Sequence, residues 1–191
     1  FKCIKKVTLS FAWAIIETGS NDVLIVRRKR GRFAGKWELP GGRVNSGEDL
    51  LSGLVREIRE EVGISIDPND LVHLLSIGVI DERKKVLPIE PFPMIGQDLY
   101  LFQTEDEPAV VLGDEHNRFR FISAERFTED IRTRNKLTGL TMSFLASFFY
   151  GIRRFKPNVR IFQEEPLAVR DFDAYWRTGV IALGKHLKII T

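Results

Sequence analysis

The sequence predicts a layered α/β domain followed by a C-terminal extension, and three observations carry that expectation. Extended runs rich in Val, Ile, Leu and Phe recur between Val7 and Ile122. One helical periodicity closes at Gly63 and a second at Tyr150. Clusters of Gly, Asn, Asp and Pro punctuate the runs. Strands mixed with two or three helices suit layers of sheet and helix rather than a bundle or a barrel.

In chain order, Val7 to Glu17 and Val23 to Val26 read as strands joined by a turn at Thr18-Gly19-Ser20-Asn21-Asp22. Short extended pieces at Glu38-Leu39 and Arg43-Val44 flank a Pro40-Gly41-Gly42 turn. A helix follows. Ser46 is its candidate N-cap, with Asp49 three residues on in the style of a capping box. Leu51, Leu54, Val55, Ile58 and Val62 make one apolar stripe, and Gly63 is the stop. Gly53 costs helix stability, so its expected use is close approach of another backbone. Leu71 to Ile80 is a strand, Asp81 to Gln97 a charged, proline-rich loop, and Asp98 to Gln103 and Phe119 to Ile122 are strands. Lys136 to Tyr150 reads as a helix with Leu137, Leu140, Phe144, Leu145, Phe148 and Phe149 inward. Residues 1–150 are expected to form one domain and 151–191 an extension. In that extension Val159 and Ile161 suit a strand, and Phe172, Tyr175 or Trp176, Val180, Leu183 and Leu187 repeat at helical spacing. Such a helix would cover the core; a homodimer contact or closure over a site are the alternatives.

Composition narrows the class. Hydrophobic residues at 43% and charged residues at 29% are ordinary for a globular domain. No apolar run is long enough to span a bilayer, Phe144 to Ile152 being too short. Cys3 is the only cysteine, which excludes an intrachain disulfide and a cysteine zinc knuckle. No secretory leader is read, so a cytoplasmic protein without a membrane partner is expected. The net charge of +3 is mild, but Arg27, Arg28, Lys29, Arg30, Arg32 and Lys36 crowd into one loop. Arginines there suit phosphates, which they hold bidentately; a solvated loop is the alternative. Nucleic acid would need a broader basic surface or a recognisable motif.

Glu57, Glu60 and Glu61 stand at i, i+3 and i+4, on one face of the predicted helix. Like charges at that spacing weaken a helix, so the cluster asks for a cation, and oxygen-rich sets suit magnesium or manganese. The spacing from Gly42 runs five residues to Glu48, then seven to Arg56-Glu57-Ile58-Arg59-Glu60-Glu61-Val62-Gly63-Ile64. Gly42 to Ile64 thereby resembles, at every specified position, the Nudix box, and Trp37-Glu38-Leu39-Pro40-Gly41-Gly42 is similar to its usual lead-in.

That resemblance implies an α/β/α sandwich with a mixed sheet, and a metal-dependent pyrophosphohydrolase that cleaves a nucleoside di- or triphosphate linked to another moiety. It implies that Glu60 and Glu61 ligate Mg2+ or Mn2+ with the Gly41 carbonyl, while Glu57 binds metal or orients the attacking water. Arg56 would pair with Glu60, and Glu48 would be a supporting ligand or a helix-end anchor. Family members recruit a further acid from a late loop, as general base or further metal ligand, and Glu115 is the candidate, with His116 beside it to meet a phosphate; a solvated turn fits both equally. Arg27, Arg28 and Arg32 are the candidate phosphate ligands. Trp37, Phe33 and Phe92 are the aromatic candidates for a base, with core placement the alternative for Trp37. The expected partner is a small nucleotide. Alternatives are a capped-RNA or NADH/ADP-ribose-type diphosphatase, a nucleotide sensor without turnover, and, last, an isomerase acting on a diphosphate.

Overall fold

The computed structural model describes residues 7–80, 94–132 and 137–150. The expected extension over 151–191, and Cys3 and Phe92, lie outside the described residues. The elements run β1 (Val7–Glu17), β2 (Val23–Arg28), β3 (Trp37–Glu38), β4 (Gly41–Val44), α1 (Leu50–Val62), β5 (Val72–Ile80), β6 (Met94–Gln103), β7 (His116–Ile122), α2 (Ala124–Arg132) and α3 (Gly139–Tyr150).

All seven strands join one mixed sheet, ordered β3-β2-β1-β6-β5, with β4 added beside β1 and β7 beside β2. The β1–β6 pair is parallel; the other pairs are antiparallel. Strand alternation sends successive side chains to opposite faces. Ile15, Val23 and Ile25 therefore pack with Phe127 of α2 and Phe144, Leu145, Phe148 and Phe149 of α3. Ala14, Ile16, Leu24 and Val26 pack with Leu54, Ile58 and Val62 of α1. The result is the α/β/α sandwich expected, with one core on each side of the sheet.

Several local expectations change. Gly41 and Gly42 lie inside β4, not in a turn, with Gly41 opposite Trp13 and Gly42 opposite Ala12. Gly41 has φ near 130°, and a Cβ there would strike the Ala12 carbonyl and Trp13 Cα. Its lack of a side chain lets β4 lie close on β1. Asp49, not Ser46, caps α1, accepting from the Ser52 amide at 3.1 Å. Gly53 faces the Val44 and Glu48 side chains rather than another backbone. β6 starts at Met94, within the stretch read as loop, because β5 and β1 pair with it from both sides. Helix α2 was not foreseen; Ser123 starts it, its hydroxyl accepting from the Arg126 amide at 3.3 Å.

Candidate active site

Arg56 gathers the acids of α1. Its Nε and Nη2 donate to the two Glu48 oxygens, each at 3.0 Å. Nη1 reaches Glu57 Oε1 at 2.8 Å and Glu60 Oε2 at 3.3 Å, and Nη2 also donates to the Arg43 carbonyl. The pairing with Glu60 is thus the longest of the set, and the two-pronged grip goes to Glu48, which offers both oxygens to the planar guanidinium. Glu48 also accepts from the Asn45 amide at 2.9 Å, so it anchors the turn before α1. Hydrogen bonds from Arg56 first, and then from Asn45, hold its carboxyl down at about 2.

The other acids meet β4. A Cβ on Gly42 would stand 2.7 Å from Glu57 Oε2, so the bare backbone there makes room for that carboxyl. Glu61 is buried, and its Oε2 accepts from the Gly41 amide at 2.9 Å. Burial pushes the Glu61 carboxyl well above the usual range; the Gly41 amide opposes this, while nearby Glu38, Glu57 and Glu115 add to it. Glu60 is the exposed member, its side chain 61% accessible. Alternate packing explains the difference: Glu61 turns toward the sheet with Ile58 and Val62, and Glu60 turns away.

A second wall comes from β2, β3 and β7. The loop before β7 is fastened to the end of α1 by Gly113 N–H donating to the Glu61 carbonyl at 2.9 Å. A Cβ on Gly113 would strike the Glu60 carbonyl, so only glycine allows this approach. Arg28 donates to Glu38 at 2.7 Å and to Glu115 at 2.8 Å. His116 Nε2 meets the same Glu38 oxygen at 3.0 Å, and its Nδ1 lies 3.8 Å from Glu61 Oε1. Arg27 stands opposite Arg118 but Arg28 stands opposite His116, so Asn117 is an extra residue, a β-bulge. Without it, His116 would share the face of Arg118; with it, His116 turns to the carboxylates.

Glu57, Glu60, Glu61, Arg56, Glu48, Gly41, Glu115 and Arg28 are brought together here. Arg27 and Trp37 are not. They are mutual neighbours that alternate with Val26 and Glu38, so they face α3 instead of α1. Trp37 packs against that core with the Arg120 guanidinium 4.5 Å from its ring centre, and Arg27 Nε donates to the Gly35 carbonyl. Arg32 is exposed, its guanidinium 5.4 Å from the Phe33 ring. His116 is buried rather than open to a phosphate. Glu38 was missed as a site residue; its place next to Trp37 in the lead-in was the available signal. Phe119 was also missed. It pairs with Val26, as Glu38 does from the other side, so it shares the carboxylate face, yet is 43% exposed.

The carboxylates supply hard oxygen donors of the kind divalent cations prefer. As they stand, Glu57 and Glu60 each give an oxygen to Arg56, and among the described residues no three acidic, His or Cys side chains are arranged to hold a metal ion. Also among the described residues, no helix is long and apolar enough to cross a membrane.

A sandwich in which α1 sets Glu57 and Glu61 against a glycine-lined strand, with Glu60 exposed beside them, has the architecture of the Nudix fold class. The family model for the NUDIX domain matches residues 8–139, and the chain belongs to that family. It is 43% identical over 56 residues to Nudix hydrolase 2 of Arabidopsis thaliana, covering 28% of this chain and 20% of that one. It is 41% identical over 58 residues to the 8-oxo-dGTP diphosphatase of Escherichia coli K12, covering 30% and 45%. To the ADP-ribose pyrophosphatase of Methanocaldococcus jannaschii it is 38% identical over 69 residues, covering 36% and 41%. The chain thus spans less than half the length of each of these relatives. Among solved structures, the MutT protein of Methanosarcina mazei Go1 superposes with a TM-score of 0.54 at 26% identity, over 81% of this chain and 99% of that one.

Proposed function

We propose that this protein hydrolyses a phosphoanhydride bond in a small nucleoside di- or triphosphate derivative, with Mg2+ or Mn2+ bound by Glu57, Glu60 and Glu61. The observation that carries the reading is the convergence of Glu57 and Glu61 on the Gly41-Gly42 strand, with Glu60 tied to the same Arg56 as Glu57 and with Glu61 buried among Glu38, Glu57 and Glu115. Donor chemistry fits a hard divalent ion, with the Gly41 carbonyl as a backbone donor. Such an ion would neutralise phosphate oxygens and lower the pKa of a bound water. The chain's own groups do the rest. Glu57 orients water or shares the ion, Glu115 takes the water's proton, and Arg56 holds Glu57 and Glu60 from behind. Arg28, already beside Glu115, is the arginine of the basic loop best placed to meet a phosphate. Phe119 gives a base an exposed aromatic surface on the same face. The activities for which the two microbial relatives are named, on ADP-ribose and 8-oxo-dGTP, support a nucleotide substrate.

A panel of dinucleotides, nucleotide sugars, triphosphates and capped RNA with each ion tests this. Wild type should release phosphate, pyrophosphate or a nucleoside monophosphate, and Glu60→Gln or Glu61→Gln should abolish release with the circular dichroism unchanged. Near-normal rates in either variant would overturn the assignment. Nucleotide binding without release by the wild type would make the protein a sensor.

A further inference from the structure

We propose that Glu38 and His116 form a buried positioning pair that sets where Glu61 and Arg28 stand. The inference rests on the functional reading above and extends it to the strand side of the site. Burial is the first observation. Glu38 is 3% exposed and His116 4% exposed, and polar groups are costly there unless they are partnered. One oxygen, Glu38 Oε1, receives both Arg28 Nη1 at 2.7 Å and His116 Nε2 at 3.0 Å. Glu38 thus fixes an arginine and an imidazole with a single group.

The second observation is the bulge at Asn117. Regular pairing would leave His116 on the face of Arg118, and the extra residue re-aims it toward Glu38 and Glu61. Local irregularity that brings a buried imidazole between two buried carboxylates is hard to attribute to packing, which an apolar side chain would serve better.

The third observation is an unsatisfied atom. His116 Nδ1 is buried and has no hydrogen-bond partner. It stands 3.8 Å from Glu61 Oε1, the oxygen that the Gly41 amide leaves untouched. Closure by about 0.6 Å, with a single proton between the ring nitrogen and the carboxyl since Nε2 already donates its own to Glu38, brings the two within hydrogen-bond range. Glu61 is then held at both oxygens, by the β4 backbone and by β7. A continuous string of contacts, Glu115 to Arg28 to Glu38 to His116 to Glu61, runs from the loop acid to the helix acid. Loss of the middle members displaces both ends at once, although neither touches substrate.

Substitution tests this in the full chain. His116→Phe keeps a ring but removes both nitrogens, and Glu38→Leu removes the shared acceptor. Each should lower kcat about ten- to a hundredfold, as loss of a group that orients metal ligands commonly does; His116→Phe, which leaves the Arg28–Glu38 pair in place, should keep KM nearly unchanged, and Glu38→Leu, which releases Arg28, should also raise KM. Each should also weaken Mn2+ binding to the substrate-free protein, measured by titration calorimetry, about tenfold. The conservative His116→Gln and Glu38→Gln, which keep hydrogen-bonding groups, should recover most of both; if the apolar variants fail to fold, this pair is compared with wild type against Glu38→Asp, which withdraws the acceptor by one methylene. Wild-type kcat and Mn2+ affinity in folded His116→Phe or Glu38→Leu, or in Glu38→Asp, would overturn the proposal. A wild type that binds Mn2+ but turns over no nucleotide overturns the hydrolase reading alone, and Mn2+ affinity then decides on the pair. A wild type that binds no Mn2+ overturns both.

Discussion

Gly41 and Gly42 are adjacent, and each lacks a side chain for a different reason. At Gly41 a methyl group would meet the backbone of β1 at a φ that L-residues rarely adopt. At Gly42 it would meet only the end of the Glu57 side chain. Gly41→Ala should therefore destabilise the fold by at least about 1–3 kcal/mol in chemical denaturation, since strained backbone of this kind costs that much before any collision. Gly42→Ala should unfold close to wild type yet lose about ten- to a hundredfold in kcat, because Glu57 is displaced. The acids of α1 were legible because charge type and spacing are printed in the chain. Their burial was not. Glu60 and Glu61 are neighbours, and only the packing of α1 on the sheet makes one exposed and the other buried.

At the scale of elements, α1 begins where a local competition is resolved. Ser46 and Asp49 are both good capping residues, and the apolar stripe alone does not rank them. The structure selects Asp49, whose Oδ2 accepts from both the Ser52 amide and hydroxyl, and gives the turn before it to Glu48 and Arg56. Asp49→Ala should cost about 0.5–2 kcal/mol, and Ser46→Ala far less, in denaturant melts. Glu48 adds a pH signature. Its carboxyl is lowered from 4.5 to about 2 in the folded chain, so its stabilising contribution is full above pH 4.5 and is lost as pH falls through 2. Glu48→Gln should lower Tm at pH 7, and the gap from wild type should close between those two values. The bulge at Asn117 and helix α2 were harder to read. A single inserted residue leaves no period to detect, and Phe127 is the fully buried anchor of α2 among the described side chains.

Across the whole molecule, the sheet separates two cores, and alternate residues of β1 and β2 feed one each. Ile25 belongs to the core beneath α3 and Ile58 to the core beneath α1. Ile25→Val and Ile58→Val should each cost about 0.5–1.5 kcal/mol, and the double variant should equal their sum within about 0.5 kcal/mol, since the sites share no cluster. Coupling well beyond that would mean the sheet transmits strain. The layers were readable from strands mixed with helices and from the sandwich that the Nudix resemblance implies, whereas the partner of each strand was not, because pairing depends on residues far apart in the chain. That separation has a kinetic consequence. The central pair, β1 with β6, runs in parallel and sets Trp13 beside Leu99, so β4 and α1 are carried inside the loop that this pair must close. Chain closure of such length precedes any reward from contact, which places refolding in the millisecond-to-second range rather than among the microsecond folders. Stopped-flow fluorescence following Trp13 would time the event, and a microsecond phase carrying the full amplitude would show that the halves of the sheet assemble independently of their junction.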